Sequence, residues 1–222
     1  MAADELLDYC DERGVRLGLA TRHEVHAQGL WHRTLHLWLV DPHDGGSLIY
    51  QLRCLTAASW PGLLDASVAG HLLAGEGYED ALRESREEIG VAVPRRAVIA
   101  LGERREQGRD SAGGWNREIQ GIRVARLDKL WSAFRPVDGE AAGLCRIGHD
   151  AATRLFGRQT ASIECDALMA VAGGVCAAMR EVTLDSFVPR PAAYYLAMHD
   201  IARRLIRGDP KDILVEAYTK SR

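Results

Sequence analysis

The chain has 222 residues, of which 47% are hydrophobic and 27% charged, so its composition excludes a mainly disordered protein. Its formal net charge of −3 leaves no basic surplus for binding a run of phosphates, which argues against a nucleic-acid partner. The apolar stretches fall short of the ~20 residues that a membrane span needs, and the acidic N-terminal stretch does not resemble a signal peptide. We expect a cytoplasmic protein that acts on a small molecule.

Short apolar runs separated by turn residues predict two β-hairpins in the first third of the chain. The first joins Leu6–Cys10 to Val15–Leu19, and the second joins Leu35–Val40 to Leu48–Arg53. Further strands are predicted over Leu63–Val68, Ala97–Glu103 and Ile119–Arg126. A loop is predicted over Asp110–Gly114.

Helical patterns follow these strands. One runs from Tyr78 to Ile89, and Gly90 suits its C-cap. From Ala151 onward the pattern is mostly helical, with long helices predicted over Ala161–Arg180 and Ala192–Arg207. Strands followed by helices indicate an α+β fold.

Three carboxylates cluster on the first predicted helix. Glu84, Glu87 and Glu88 are spaced i, i+3, i+4, so they share an arc of roughly 100°. A neighbouring arc carries residues suited to packing against a sheet: Leu82, Ser85 and Ile89. A hard divalent cation such as Mg²⁺ or Mn²⁺ would relieve the repulsion within the cluster. The alternative is a solvated acidic face with Arg83 and Arg86 as local partners.

The whole run around this helix resembles a known motif. Gly70, Glu76 and the stretch Arg83–Val91 resemble the Nudix box, G-x5-E-x7-R-E-U-x-E-E-x-G-U, where U is aliphatic. Two departures bear on the loop and on packing: six residues instead of seven separate Glu76 from Arg83, and Ser85 occupies an aliphatic position.

The resemblance is closest to the isopentenyl-diphosphate-isomerase-like branch of this superfamily. Its marks lie in five stretches: Glu24–His26, His32–Trp38, Trp60–Gly62, Ser67–His71 and Asn116–Glu118. True isomerases of this type carry a cysteine where this chain has Ala69, and they replace some of the Nudix carboxylates. Because the chain lacks that thiol but keeps all three carboxylates, hydrolysis is the better interpretation.

The resemblance implies roles for individual residues. Glu84, Glu87 and Glu88 would hold the metal, and Arg83 would orient them. Glu118 would supply a further ligand or the general base, for which Glu87 and Glu140 are alternatives. Two substrate-binding residues are implied: Arg53 and His71. His71 also forms, with His26 and His32, a set that matches the isomerase metal ligands, the alternative being structural histidines.

These observations combine into one prediction of fold and function. We expect a Nudix α/β/α sandwich with a mixed sheet over residues 1–157, with the box at 70–91, and a helical extension over 158–222 that packs on it and either caps the cleft or forms a homodimer contact. The predicted activity is that of a Mg²⁺- or Mn²⁺-dependent pyrophosphohydrolase acting on an organic diphosphate. The alternatives are an isopentenyl-diphosphate isomerase and a catalytically idle Nudix domain that binds a nucleotide or metabolite.

Overall fold

The computed structural model describes residues 5–109 and 113–208. Within them the chain forms eleven strands, in order β1 (Leu6–Cys10), β2 (Arg16–Thr21), β3 (Trp31–Asp41), β4 (Ser47–Arg53), β5 (Leu64–Asp65), β6 (Val68–His71), β7 (Val98–Arg109), β8 (Trp115–Arg126), β9 (Ala141–Gly148), β10 (Ser162–Val171) and β11 (Gly174–Thr183). Its four α-helices are α1 (Arg22–Gln28), α2 (Glu84–Ile89), α3 (His149–Phe156) and α4 (Ala192–Arg207). None of the helices in this part of the chain has the length and hydropathy to cross a bilayer.

One mixed sheet contains all of these strands. Its main path runs β11-β10-β9-β4-β3-β1-β2, with the shorter β5 on β4 and β6 on β3. The β7–β8 hairpin joins the sheet through β8, which pairs parallel with β3 from the His32–Glu118 pair to the Val40–Arg126 pair. The predicted hairpins β1–β2 and β3–β4 are confirmed.

The two faces of the sheet carry different helices because side chains alternate along β3. Leu35, Leu37 and Leu39 form one buried cluster with Ile89 of α2 and with Leu82, which lies just before that helix. On the other face, Trp38 and Val40 pack with residues of α3 and α4, including Leu155, Tyr195 and Met198. The predicted α/β/α sandwich is therefore confirmed.

The predicted helix over Ala161–Arg180 is wrong. The chain forms the β10–β11 hairpin there, with a turn at Ala172–Gly173 in which Gly173 has φ +82°. The alanine-rich composition favours a helix, but Ile163, Cys165 and Ala167 are buried at every second position, and β10 pairs with β9. Tertiary pairing overrides helix propensity here.

The extension after residue 157 continues the same sheet and core. Strands β10 and β11 extend the sheet beyond β9, and α4 lies in the same core cluster as β3 and β4. The predicted helix over Ala192–Arg207 is confirmed. The boundary at 157 itself stays a prediction.

The predicted helix from Tyr78 begins later than expected. Residues 81–83 form a 3-10 turn, and the α-helix starts at Glu84. Tyr78 instead lies with its ring over Gly121, where a Cβ atom would collide with it, and its hydroxyl donates to Glu103 at 2.9 Å. The predicted loop at Asp110–Gly114 lies mostly outside the described residues.

Substitution of a buried methionine tests whether α4 belongs to the core. Met198 is 1% exposed within the main cluster, whereas Met179 on β11 is 62% exposed. We expect Met198→Ala to lower the free energy of unfolding by about 2–5 kcal/mol, because it leaves a cavity. Met179→Ala, the matched control, should change it by about 0.5 kcal/mol or less. Equal effects in urea denaturation would contradict this packing.

Candidate active site

The sheet divides along β3, and the candidate site lies at the division. Residues 39–41 of β3 pair with β4, whereas residues 34–37 pair with β6. Ser67 lies buried at this point: its hydroxyl accepts a hydrogen bond from the Leu39 amide at 2.8 Å and donates to the Ile49 carbonyl. Because β4 and β6 separate here, side chains from both strands can meet groups from α2.

A single arginine organises the α2 carboxylates. Arg83 binds Glu76 through Nε at 2.9 Å and Nη2 at 3.2 Å, and its Nη1 donates to both Glu84 and Glu87 at 2.8 Å. Glu76 also accepts the Leu73 amide at 2.9 Å. The loop is one residue shorter than the Nudix pattern, yet Glu76 still ties it to the helix. Arg83 thus contacts carboxylates, as the sequence led us to expect.

Glu88 is buried, Glu84 is partly buried with 16% of its side chain exposed, and Glu87 is half exposed. Burial raises the pKa of Glu84 to about 7, with Arg83 opposing and Glu87 reinforcing the shift. Burial and the neighbouring Glu84 raise the pKa of Glu88 well above its ordinary value, although Glu88 accepts the Ala69 amide at 3.2 Å. Glu87 is 51% exposed. Without a cation, protons therefore compensate for the crowding of these carboxylates, and a bound cation would take the place of those protons.

The backbone of β6 approaches this cluster closely. A Cβ atom at Gly70 would lie 2.5 Å from the Glu84 carboxyl carbon, so only glycine leaves room for the carboxylate. The donor atoms are all carboxylate oxygens, the ligands that Mg²⁺ and Mn²⁺ prefer. These residues thus fit a hard divalent cation.

The short helix α2 is held at both ends by polar contacts. Ser85 is fully buried, where its hydroxyl donates to the Leu82 carbonyl at 2.7 Å and accepts the Val93 amide at 3.2 Å. The polar residue at an aliphatic position therefore joins the helix to the segment that follows it. Gly90 ends the helix at φ +68°, and a Cβ atom there would lie 2.7 Å from the Arg135 Cβ. The predicted C-cap is confirmed.

Three histidines from separate elements meet near the start of β3. His26 is carried by α1, a helix whose N-cap Thr21 forms a capping box with Glu24 and whose C-cap is Gly29. His26 Nε2 lies 3.1 Å from His71 Nε2, and the candidate ligand atoms of His26, His32 and His71 all lie within 4.8 Å of one another. Their spacing fits ligands of one metal ion.

The surroundings of His32 favour a ligand role. Its Nδ1 lies 3.0 Å from the Leu30 carbonyl, so Nδ1 carries the proton and Nε2 presents a lone pair. This Nε2 atom is buried and has no hydrogen-bond partner among the described residues. Burial lowers the pKa of His32 and that of His71, which keeps both rings neutral at neutral pH.

Glu118 belongs to the histidine group. It lies opposite His32 in the β3–β8 pairing and accepts hydrogen bonds from Gln120 at 2.7 Å and Asn116 at 2.8 Å. Burial would raise its pKa, but His32, His36 and the two amides lower it to about 2. None of its described hydrogen bonds reaches the α2 carboxylates. Glu118 is therefore an ionised carboxylate beside the histidines.

Arg53 lies between these groups at the end of β4. Its guanidinium is held by the Ser59 carbonyl at 2.8 Å, and Nη1 lies 3.6 Å from the Asp65 carboxylate. Its positive charge is among the influences that lower the pKa values of Glu88 and His71, in both of which burial is the largest influence. Arg53 is thus near enough to Glu88 and to His71 for its charge to act on both.

Sequence reasoning missed several polar residues that surround this site. Asp65, Arg190, His36 and Gln51 are buried here, and the Gln51 Nε2 atom has no hydrogen-bond partner among the described residues. It also missed helix α1, although Thr21-x-x-Glu24 followed by Gly29 is a local signal for it. Glu140, one candidate base, is exposed in the turn before β9.

The pKa of Glu84 predicts a pH effect on stability. The folded-state value of about 7 lies above the ordinary 4.5, so the folded protein retains a proton that the unfolded chain releases between these values. Without metal, wild type should therefore lose stability relative to Glu84→Gln as pH rises through this window, by on the order of 1–3 kcal/mol. Thermal unfolding in EDTA measures this difference.

Comparison with Glu84→Gln cancels the opposite effect of the buried histidines, whose lowered pKa values increase stability as pH rises. Added Mg²⁺ should restore wild-type stability most strongly at high pH, where it competes with fewer protons. A difference between the two proteins that does not change with pH would contradict the assignment.

No family model matches the chain. Over 197 residues it is 28% identical to an uncharacterized Nudix hydrolase of Clostridium acetobutylicum, covering 86% of this chain and 94% of that protein. It is 41% identical over 96 residues to an uncharacterized Nudix hydrolase of Streptomyces coelicolor, covering 42% of this chain and 52% of that protein. It is 39% identical over 97 residues to Nudix hydrolase 3 of Arabidopsis thaliana, covering 43% of this chain and 12% of that protein.

Two crystal structures share the fold. A protein of Deinococcus radiodurans aligns with a TM-score of 0.52 at 22% identity, over 70% of this chain and 88% of that one. A MutT/nudix family protein of Enterococcus faecalis aligns with a TM-score of 0.51 at 13% identity, over 81% of this chain and 64% of that one. The motif at residues 70–91, the named relatives and the shared fold all indicate similarity to the Nudix superfamily.

Proposed function

We propose that this protein is a metal-dependent pyrophosphohydrolase that cleaves an organic diphosphate. One observation carries the proposal: Glu84 and the buried Glu88 lie against the β6 backbone, and Arg83 bridges Glu84 to Glu87. Buried carboxylates of like charge are costly without a cation, so the arrangement suits binding Mg²⁺ or Mn²⁺. The relatives named Nudix hydrolases support the same reaction class.

The residues of the site have separate roles in hydrolysis. A cation held by Glu84, Glu87 and Glu88 would neutralise phosphate charge and lower the pKa of the attacking water. Arg83 keeps Glu84 and Glu87 in place through its two Nη1 hydrogen bonds. Arg53 lies where its guanidinium can bind a phosphate oxygen.

The chemical step is an attack of water on phosphorus. The water oxygen forms a new bond to phosphorus, the bridging P–O bond breaks, and the leaving phosphate keeps the electron pair. A carboxylate takes the proton of the water. Glu87 suits this role because it is half exposed next to the buried ligands, and Glu118 is the alternative because its lowered pKa keeps it ionised.

Glu87→Gln tests the carboxylate cluster. The variant keeps the size of the side chain but removes its charge, so we expect kcat to fall by at least ~10² while stability changes little. Glu79→Gln is the matched control, because Glu79 is 73% exposed and pairs with Arg95. The assay follows release of phosphate or a monophosphate from a panel of nucleoside-diphosphate-linked and other organic diphosphates with Mg²⁺ or Mn²⁺. Normal turnover of the Glu87 variant would refute its role.

The histidine group provides a second test. If His26, His32 and His71 bind a metal ion, His32→Gln should weaken binding of Mn²⁺ or Co²⁺ at that site by ~10-fold or more. Isothermal titration with wild type should then resolve two kinds of site. His32→Gln should affect the histidine site, and Glu87→Gln should affect the carboxylate site. His43→Gln is the control, since His43 is half exposed and pairs with Asp41 instead. Unchanged titrations for His32→Gln would indicate structural histidines.

The histidines with Glu118 also favour a second candidate, an isopentenyl-diphosphate isomerase, because they match the metal ligands of that branch. Ala69 stands against it, since no thiol is available for proton transfer at that position. Incubation with isopentenyl diphosphate decides between the two reactions: formation of the dimethylallyl isomer would support isomerisation, and release of phosphate would support hydrolysis.

A further inference from the structure

A buried ion-pair cluster joins the C-terminal part of the chain to the active site. Arg190, whose side chain is 4% exposed, donates from Nη1 and Nη2 to the two carboxylate oxygens of Asp65. The same carboxylate lies 3.6 Å from Arg53 Nη1, which is close enough for an ion pair but too far for a hydrogen bond. Asp65 is thus hydrogen-bonded to one arginine and only near the other.

Because Asp65 is hydrogen-bonded to Arg190, the positive charge of Arg53 has no carboxylate hydrogen-bonded to it among the described residues. The described hydrogen bonds of the Arg53 guanidinium go to the carbonyl and hydroxyl of Ser59, both of which are neutral. Its side chain is 20% exposed, whereas that of Asp65 is 4% exposed. A guanidinium in this state suits binding an anion.

The other groups around Asp65 cannot replace Arg190. Burial lowers the pKa of His36 to about 4, so this neighbouring ring is neutral at neutral pH. Glu106, which lies 3.6 Å from Arg190 Nε, is itself a carboxylate and receives a hydrogen bond from Arg104, so it supplies no cation for Asp65. Without Arg190, the buried Asp65 would have Arg53 as its nearest cationic partner.

We propose that Arg190 acts through Asp65 as a positioning residue that keeps the guanidinium of Arg53 available for the diphosphate of the substrate. The inference rests on the proposed function in one respect, namely that Arg53 contacts a diphosphate. It assigns the segment after α3 a part in substrate binding, since Arg190 precedes α4. Removal of Arg190 lets Asp65 pair with Arg53 and neutralise it.

A double-mutant cycle on the full chain tests this coupling. The probe is methylenediphosphonate with Mg²⁺, a diphosphate that cannot be hydrolysed, and its Kd is measured by isothermal titration. We expect Arg190→Gln to raise Kd by about tenfold, because Asp65 then captures Arg53. Adding Asp65→Asn to that variant should return Kd to within about threefold of wild type, because the competing charge is gone. Arg53→Ala should lose affinity in either background.

A merely structural role for the pair predicts a different pattern. The single and double variants would then bind equally weakly, or would change only in thermal stability, and either result would overturn the inference. Arg190→Lys provides a further check: it keeps a positive charge near Asp65 but loses the bidentate contact, so its Kd should lie between those of wild type and Arg190→Gln. If Arg190→Gln does not fold, the double variant carries the test, and binding by it that is tenfold or more weaker than that of wild type would overturn the inference.

The binding measurement separates this inference from the proposed function. A protein that shows the expected cycle but hydrolyses no diphosphate would refute the hydrolase proposal and leave the coupling intact. The opposite result is that the protein hydrolyses a diphosphate while Arg53→Ala binds the probe as tightly as wild type. It would overturn the inference and leave the hydrolase proposal standing.

Discussion

The branching of the sheet at β3 is the constraint on which the candidate site depends. One strand has to pair with β4 over residues 39–41, with β6 over residues 34–37 and with β8 along most of its length. Ser67 satisfies backbone groups of both β3 and β4 where the strands part. Because of this division, polar groups from β4, β5 and β6 reach one crevice instead of covering a continuous sheet.

Charged groups are buried around this crevice, and each is stabilised in its own way. Glu84 and Glu87 share Arg83, whereas Glu88 accepts the Ala69 amide. Glu118 is surrounded by amides and neutral histidines, and Asp65 is bound by Arg190. Removing one partner of a buried charge is costly, so such groups are retained where they do chemical work or hold another group in place. Arg83, which is bonded to the acidic cluster, and Arg53 are cations with partial exposure.

The two departures from the Nudix pattern have structural consequences that are local. The shorter loop is accommodated because residues 81–83 form a 3-10 turn and the α-helix begins only at Glu84. Tyr78 is therefore outside the helix, and its ring lies over Gly121 of β8. Ser85 exchanges apolar contact for two hydrogen bonds, one to the Leu82 carbonyl and one from the Val93 amide. The carboxylates keep their common face because the spacing from Glu84 to Glu88 is unchanged.

The sequence by itself determined the elements whose signals are local. The hairpins β1–β2 and β3–β4 follow from turn residues between apolar runs, and the shared face of Glu84, Glu87 and Glu88 follows from helical periodicity. Tertiary structure alone decided the rest. Residues 161–180 are a hairpin because β9 offers an edge to pair with, and Asp65 meets Arg190 across 125 residues because the C-terminal segment runs beside β5. Such contacts depend on which strands become neighbours, and no local pattern encodes that.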